Sequence, residues 1–163
     1  MTNEDSSWIK NFIHMSLSES QLQRVQRMVR DEWESEDELF RFFDTVTDAE
    51  ELHLYADGFN WSGGVETLRR VVQHRLCDRG TALLIYWRGS PGYMAQFADR
   101  SETRNPDQAD HFDLLREIEQ KVMAGHFQTR LFPYDPKNDR SKDMTARHND
   151  TPRKREIPQE MFA

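Results

Sequence analysis

The chain has 163 residues, enough for a single domain to bury a core without disulfides or a structural metal. Its formal charge of −7 argues against a general binder of nucleic-acid backbones, whose affinity is built from Lys and Arg on phosphates, and suits a basic partner instead. A single cysteine, Cys77, excludes an internal disulfide and a cysteine-based zinc site, and no stretch approaches the roughly 20 apolar residues of a membrane span.

Residues 1–20 lack a basic leader followed by an apolar run, so a soluble, unprocessed, cytoplasmic protein is expected. The hydrophobic fraction of 36% is low, but 10 Phe, 4 Trp and 4 Tyr carry large areas each, which predicts an aromatic-rich core.

In chain order, Trp8, Ile9, Phe12, Ile13 and Met15 fall on one face of a short helix or docking arm. Ser18 and Gln21 form a capping-box pattern ahead of Leu22, Val25, Met28, Val29 and Trp33, predicting a helix over about 19–34. Ser35 with Glu38 opens a second amphipathic run through Leu39, Phe40, Phe42, Phe43 and Val46. Thr47 with Glu50 reads as a third box. The helix behind it presents Leu52, Tyr55 and Ala56 inward and should stop at Gly58, a residue type that accepts the left-handed conformation at a helix end.

Phe59 to Gly64 reads as a turn, with Ser62 as the cap of a fourth helix carrying Val65, Leu68, Val71 and Val72. Asp78 caps a fifth element, Thr81 to Trp87, which is apolar all round. A buried central helix is preferred there, and a strand is the rival for so short a run. Residues 93–103 fit a short helix or a loop. Asn105-Pro106 then starts a long helix over about 106–124, closed by Gly125. Phe127 to Tyr134 reads as extended and 135–152 as a polar, mobile tail, after which Ile157, Pro158, Met161 and Phe162 can fold back on the core. The expected architecture is all-α, a compact array of about six short antiparallel helices over residues 1–134 with a partly docked C-terminal tail over 135–163.

Reactive constellations are weak. His14, His53, His74, His111, His126 and His148 show no metal-ligand spacing, no nucleophile-elbow frame surrounds Ser62, and Gly63-Gly64 lacks the strand and lysine of a phosphate loop. No catalytic residue, cofactor or metal is therefore assigned. Cys77 reads as a packing residue whose thiol is disfavoured as a nucleophile by the carboxylate beside it.

Two wordings, His53-Leu54-Tyr55-Ala56-Asp57-Gly58-Phe59-Asn60-Trp61 and Cys77-Asp78-Arg79-Gly80-Thr81-Ala82-Leu83-Leu84-Ile85-Tyr86-Trp87, together with Gly64-Val65-Glu66, resemble domain-of-unknown-function family 4274, a set of small bacterial proteins. Tyr134-Asp135-Pro136 and Glu156 to Met161 resemble its closing part. The family brings no activity and no catalytic residues to transfer. Its similarity to small acidic proteins encoded near bacterial toxins implies an immunity or antitoxin role.

The charge pattern points the same way. Residues 31–51 hold ten acids, among them Glu34, Glu36, Asp37, Glu38, Asp44, Asp48, Glu50 and Glu51, against the single Arg41. Such a field speeds and selects association with a basic protein, although acids at helix starts also serve the helices themselves. These eight residues are the candidate contacts for a basic partner such as a toxin. Neither nucleic acid nor membrane is expected as a partner, and Arg153-Lys154-Arg155 reads as a nucleic-acid contact too small for much affinity or as an intramolecular contact with the acidic face. The alternative is a small enzyme or ligand-binding domain with a pocket at the Phe59 to Gly64 turn, using His53, Asp57, Asn60 and Trp61; a structural or regulatory helical module is the third reading.

Overall fold

A computed structural model describes residues 16–146 and 152–163. The helix or arm expected over residues 1–15, the end of the expected tail at 147–151, and His14 and His148 lie outside the described residues.

Seven α-helices form among the described residues: α1 (Glu19–Val29), α2 (Glu36–Thr45), α3 (Ala49–Asp57), α4 (Glu66–Gln73), α5 (Arg79–Arg88), α6 (Pro91–Met94) and α7 (Pro106–Met123). Two 3-10 turns, Arg100–Glu102 and Gln159–Phe162, complete the regular structure, and the fold is all-α as expected. Packing runs α1 on α3, α3 on α5 and α5 on α7, while α4 touches α2, α3, α5 and α7.

Capping residues set most of the starts. Ser18 closes a full capping box with Gln21, Ser35 accepts from the Glu38 N–H, Asp78 from Gly80 and Asn105 from Gln108, so these four helices begin where their caps sit. Two starts differ from expectation. The α3 cap is Asp48 rather than Thr47, and Glu51, one residue beyond Glu50, accepts from the Thr47 N–H. Helix α4 has Val65 at its N-cap and no side-chain cap; Ser62 lies three residues earlier and donates its hydroxyl and N–H to the Asn60 side chain.

Helix α1 ends five residues earlier than expected. The Asp31 N–H bonds the Met28 carbonyl, the Glu32 N–H bonds the Arg27 carbonyl, and Asp31 takes a left-handed φ of 56°, a Schellman ending with aspartate where glycine is usual. Gly58, by contrast, ends α3 with φ −92°, so no left-handed turn calls for glycine there. A Cβ at 58 would come within 2.7 Å of Val29 Cγ1; close approach of α1 and α3 is what the glycine permits.

Helix α5 is the centre. Every residue from Gly80 to Trp87 is buried, and each of Leu83, Leu84 and Ile85 contributes about 1.5–3 kcal/mol by leaving water. The polar atoms that go with it are satisfied: Tyr86 donates to Glu119 at 2.7 Å and the Trp87 indole donates to the Met161 carbonyl at 2.7 Å. Met161 is fully buried and Phe162 packs edge-on against Trp87, so the end of the chain does fold back on the core. Buried Asp78 does more than cap α5. Its carboxylate also accepts from the Leu131 and Phe132 N–H groups, which ties the strand-like passage 127–134 across the start of α5 without forming a strand.

The segment 135–146 does not trail away. Arg140 and Ser141 occupy left-handed φ values of 50° and 67° in a tight two-residue turn, with Asp139 and Lys142 exchanging backbone hydrogen bonds at 2.9 Å. That turn delivers Asp139, only 9% exposed, to Arg88 of α5. The basic run at 153–155 contacts the protein itself, but not the 31–51 acids: Lys154 pairs with Glu102, and Arg155 pairs with buried Glu119 and lies over the Phe112 ring.

Candidate functional site

The acids of 31–51 are divided by the fold. Asp31, Glu32, Glu34, Glu36 and Asp37 are exposed around the corner between α1 and α2. Glu36 and Asp37 sit in the first turn of α2, where the helix dipole favours negative charge. Glu38 is partly committed: it accepts from the Glu34 N–H at 2.7 Å and pairs with Arg27 at 2.9 Å, and the backbone hydrogen bond, together with Arg27, holds its carboxyl below the usual range. The corner thus presents five exposed carboxylates, and Glu38 braces it through the Glu34 N–H and Arg27.

Asp44 is exposed but lies eight residues along α2 from Glu36, about 12 Å at the helical rise. Asp48 is half-buried and bonded to the Glu50 N–H and the Ser16 hydroxyl. Glu50 and Glu51 do not belong to the acidic face at all. They are 2% and 0% exposed; Glu51 accepts from Arg24, Gln21 and the Thr47 N–H, while Glu50 accepts from the Ser16 N–H and hydroxyl. The reason is the α3 start, which turns both side chains inward against α1 and the segment before it.

The four residues of the alternative pocket are also separated. His53 and Asp57, one turn apart on α3, line a cavity of about 250 Å³ with Arg88, Tyr134, Asn138 and Asp139. Asn60 is exposed and spends its side-chain oxygen on Ser62. Trp61 points to a different, larger cleft. The four residues expected in one pocket at the Phe59 to Gly64 turn are therefore divided between two cavities and the surface.

In the first cavity Arg88 is the hub. Its Nε and Nη2 form a two-pronged contact with Asp139 at 2.7 Å each, and its Nη1 reaches Asp57 Oδ1 and the Asp57 carbonyl at 2.9 Å. Arg140 adds a 2.8 Å contact to Asp57 Oδ2, and Tyr134 donates to Asp139 at 3.0 Å. Burial works against the Asp139 charge, but the Arg88 contacts outweigh it and hold that carboxyl below its ordinary value. His53 is pushed down to about 4 by burial, against the opposing charges of Asp57 and Asp78. Its Nδ1 lies 2.8 Å from the Thr81 hydroxyl and its ring stacks on Phe132 at 4.4 Å. Both carboxylates are thus committed to guanidinium groups and the imidazole is neutral near pH 7, an arrangement suited to clamping residues 134–140 onto α5 rather than to moving protons.

Arg88, Tyr134, Asn138, Asp139 and Arg140 are missing from the sequence-level site. Nothing local marks them, since Arg88 and Asp139 meet across 51 positions. Cys77 is buried, and burial with the Asp78 charge pushes its thiol far up. Among the described residues no group of three or more His, Cys, Asp or Glu side chains converges as a metal ion would require, and no helix is long and apolar enough to cross a membrane.

The larger cleft, about 460 Å³, lies between the turn at Trp61 to Val65, the α5–α6 junction and the first half of α7. Trp61 and Tyr93 line it with His111 and Asp107. The His111 ring stacks on Trp61 at 5.6 Å and its Nε2 lies 2.8 Å from the Gly89 carbonyl.

Residues 47–123 match the family model described as "Domain of unknown function (DUF4274)", so the resemblance carried by the two aromatic wordings holds over α3 to α7. The match stops short of Tyr134-Asp135-Pro136 and of Glu156 to Met161, and it does not reach the acidic corner at 31–38. No curated protein and no solved structure matches the chain.

Proposed function

We propose that this chain is a non-enzymatic protein-binding module of the immunity or antitoxin kind, cytoplasmic and bacterial, which captures a basic protein such as a toxin at the corner between α1 and α2. The observation that supports the reading is the group of five exposed carboxylates at that corner, Asp31, Glu32, Glu34, Glu36 and Asp37. Opposite charge concentrated at one corner raises encounter rates and rejects acidic competitors. The matched family segment supplies the scaffold, and the corner lies outside it, which suits a variable recognition surface on a shared core.

The test is affinity capture from lysate of the source cell, with the wild type beside a variant in which Glu32, Glu34, Glu36 and Asp37 are replaced by Gln or Asn. Glu38 is left alone because it braces the corner. A basic protein held by the wild type, released by salt and missed by a variant with unchanged circular dichroism supports the proposal. Equal capture by both proteins refutes it.

A further inference from the structure

The cleft at Trp61 has one wall without side chains. Gly63 and Gly64 form part of its wall, and a Cβ added at either would meet nothing within 4 Å. Neither has a left-handed backbone. Both residues are exposed, and this wall of the cleft carries no side chain.

The chemistry of the walls is one-sided. Trp61 and Tyr93 present aromatic surface, and the faces of such rings carry the negative part of their quadrupole. Asp107 brings the one formal charge in the lining, with no Lys or Arg among the lining residues. Burial lowers the tendency of His111 to protonate and outweighs the Gly89 carbonyl at its Nε2, which works the other way. The same ring backs the indole, while Tyr93 is held by a 3.1 Å hydrogen bond from Gln108. The two aromatic walls are therefore fixed before any ligand arrives. On neighbouring elements Arg100 pairs with Asp110 and Asp113, Arg69 reaches the Asp110 carbonyl and Glu117, and the Arg153 guanidinium lies beside Gly92.

We propose that this cleft binds an alkylammonium group, held against Trp61 and Tyr93 with Asp107 as its counter-charge. The volume of about 460 Å³ takes a small organic cation or the end of a lysine side chain, and lies within the range of ligand sites. The Asp107 carboxylate repels an anionic ligand. The proposal stands on other residues than the acidic corner, so either can fail without the other.

Isotope-labelled protein would be titrated with choline, with N-acetyl-lysine methylamide and with 3,3-dimethylbutanol, the uncharged analogue of choline, while the Trp61 indole and the Gly63, Gly64 and Gly89 amides are followed by NMR. The expected result is saturable shifts at these groups with a cation, and affinity for the neutral analogue weaker by roughly tenfold. Preference for choline identifies a free quaternary ammonium ligand, and preference for the lysine derivative identifies a side chain of a partner. Asp107→Asn should weaken cation binding several-fold. Equal binding of the neutral analogue, unchanged cation affinity in Asp107→Asn, or no saturable shift with either cation overturns the proposal.

Discussion

Acidification should expose the burial of His53. The ring is 5% exposed and its pKa falls from 6.5 to about 4, chiefly because burial disfavours the charged form. A histidine with a lower pKa in the folded state binds fewer protons there than in the unfolded chain, so between about 4 and 6.5 stability rises with pH and is lost on acidification. At roughly 1.4 kcal/mol for each pH unit, the interval corresponds to about 3 kcal/mol. His111 and His74 move in the same direction, and carboxylates titrate near the lower end, so the effect is isolated by difference. Urea unfolding of the wild type and of His53→Gln, measured from pH 4 to 7, should show a stability gap that widens in favour of the wild type by about 3 kcal/mol across the window. NMR titration of the folded wild type should place the His53 midpoint near 4. A gap that stays constant with pH, or a midpoint at the ordinary value, would refute the reasoning.

Removing the hub of the clamp has a separate signature. Arg88→Met strands Asp57 and Asp139, both largely buried, and should cost about 3–5 kcal/mol in chemical denaturation. Limited trypsin digestion should then cut at Lys137, Arg140 or Lys142, sites the wild type protects; unchanged digestion would show that the clamp does not hold this segment. Gly80→Ala places a methyl group on the Phe132 carbonyl oxygen, a backbone atom that cannot swing aside. A loss of roughly 1–3 kcal/mol or more is expected; the neighbouring Ala82→Gly should cost about 2 kcal/mol, from helix propensity and a lost buried methyl.

The helices were legible where one residue decides the outcome nearby. Ser18, Ser35, Asp78 and Asn105 cap as their spacing predicts, and the unbroken apolar run of α5 is buried on all sides. Local signals failed where two capping residues adjoin: Thr47 and Asp48 compete, and Asp48 wins because its carboxylate reaches the Glu50 N–H while Glu51 turns inward to Arg24. Composition also cannot distinguish an acid in water from one paired with a guanidinium far along the chain. Glu51 with Arg24 and Asp139 with Arg88 are both of that kind, and they account for two misplaced expectations, the extent of the acidic face and the trailing tail. Of the four residues expected at one pocket, His53 and Asp57 lie one turn apart on α3 and line the same cavity. Trp61 was assigned to the same site because sequence proximity conceals that the turn at 58–64 carries it past α3 to α7.

The central claim is that the α1–α2 corner recognises a basic partner by charge, and the association rate measures it most directly. With the captured partner purified, stopped-flow mixing across a range of ionic strength should show fast association at low salt that falls steeply as salt rises. The variant lacking the charges of Glu32, Glu34, Glu36 and Asp37 should associate on the order of tenfold or more slowly at low salt, with little remaining salt dependence. Equal rates for the two proteins at every ionic strength would contradict the account.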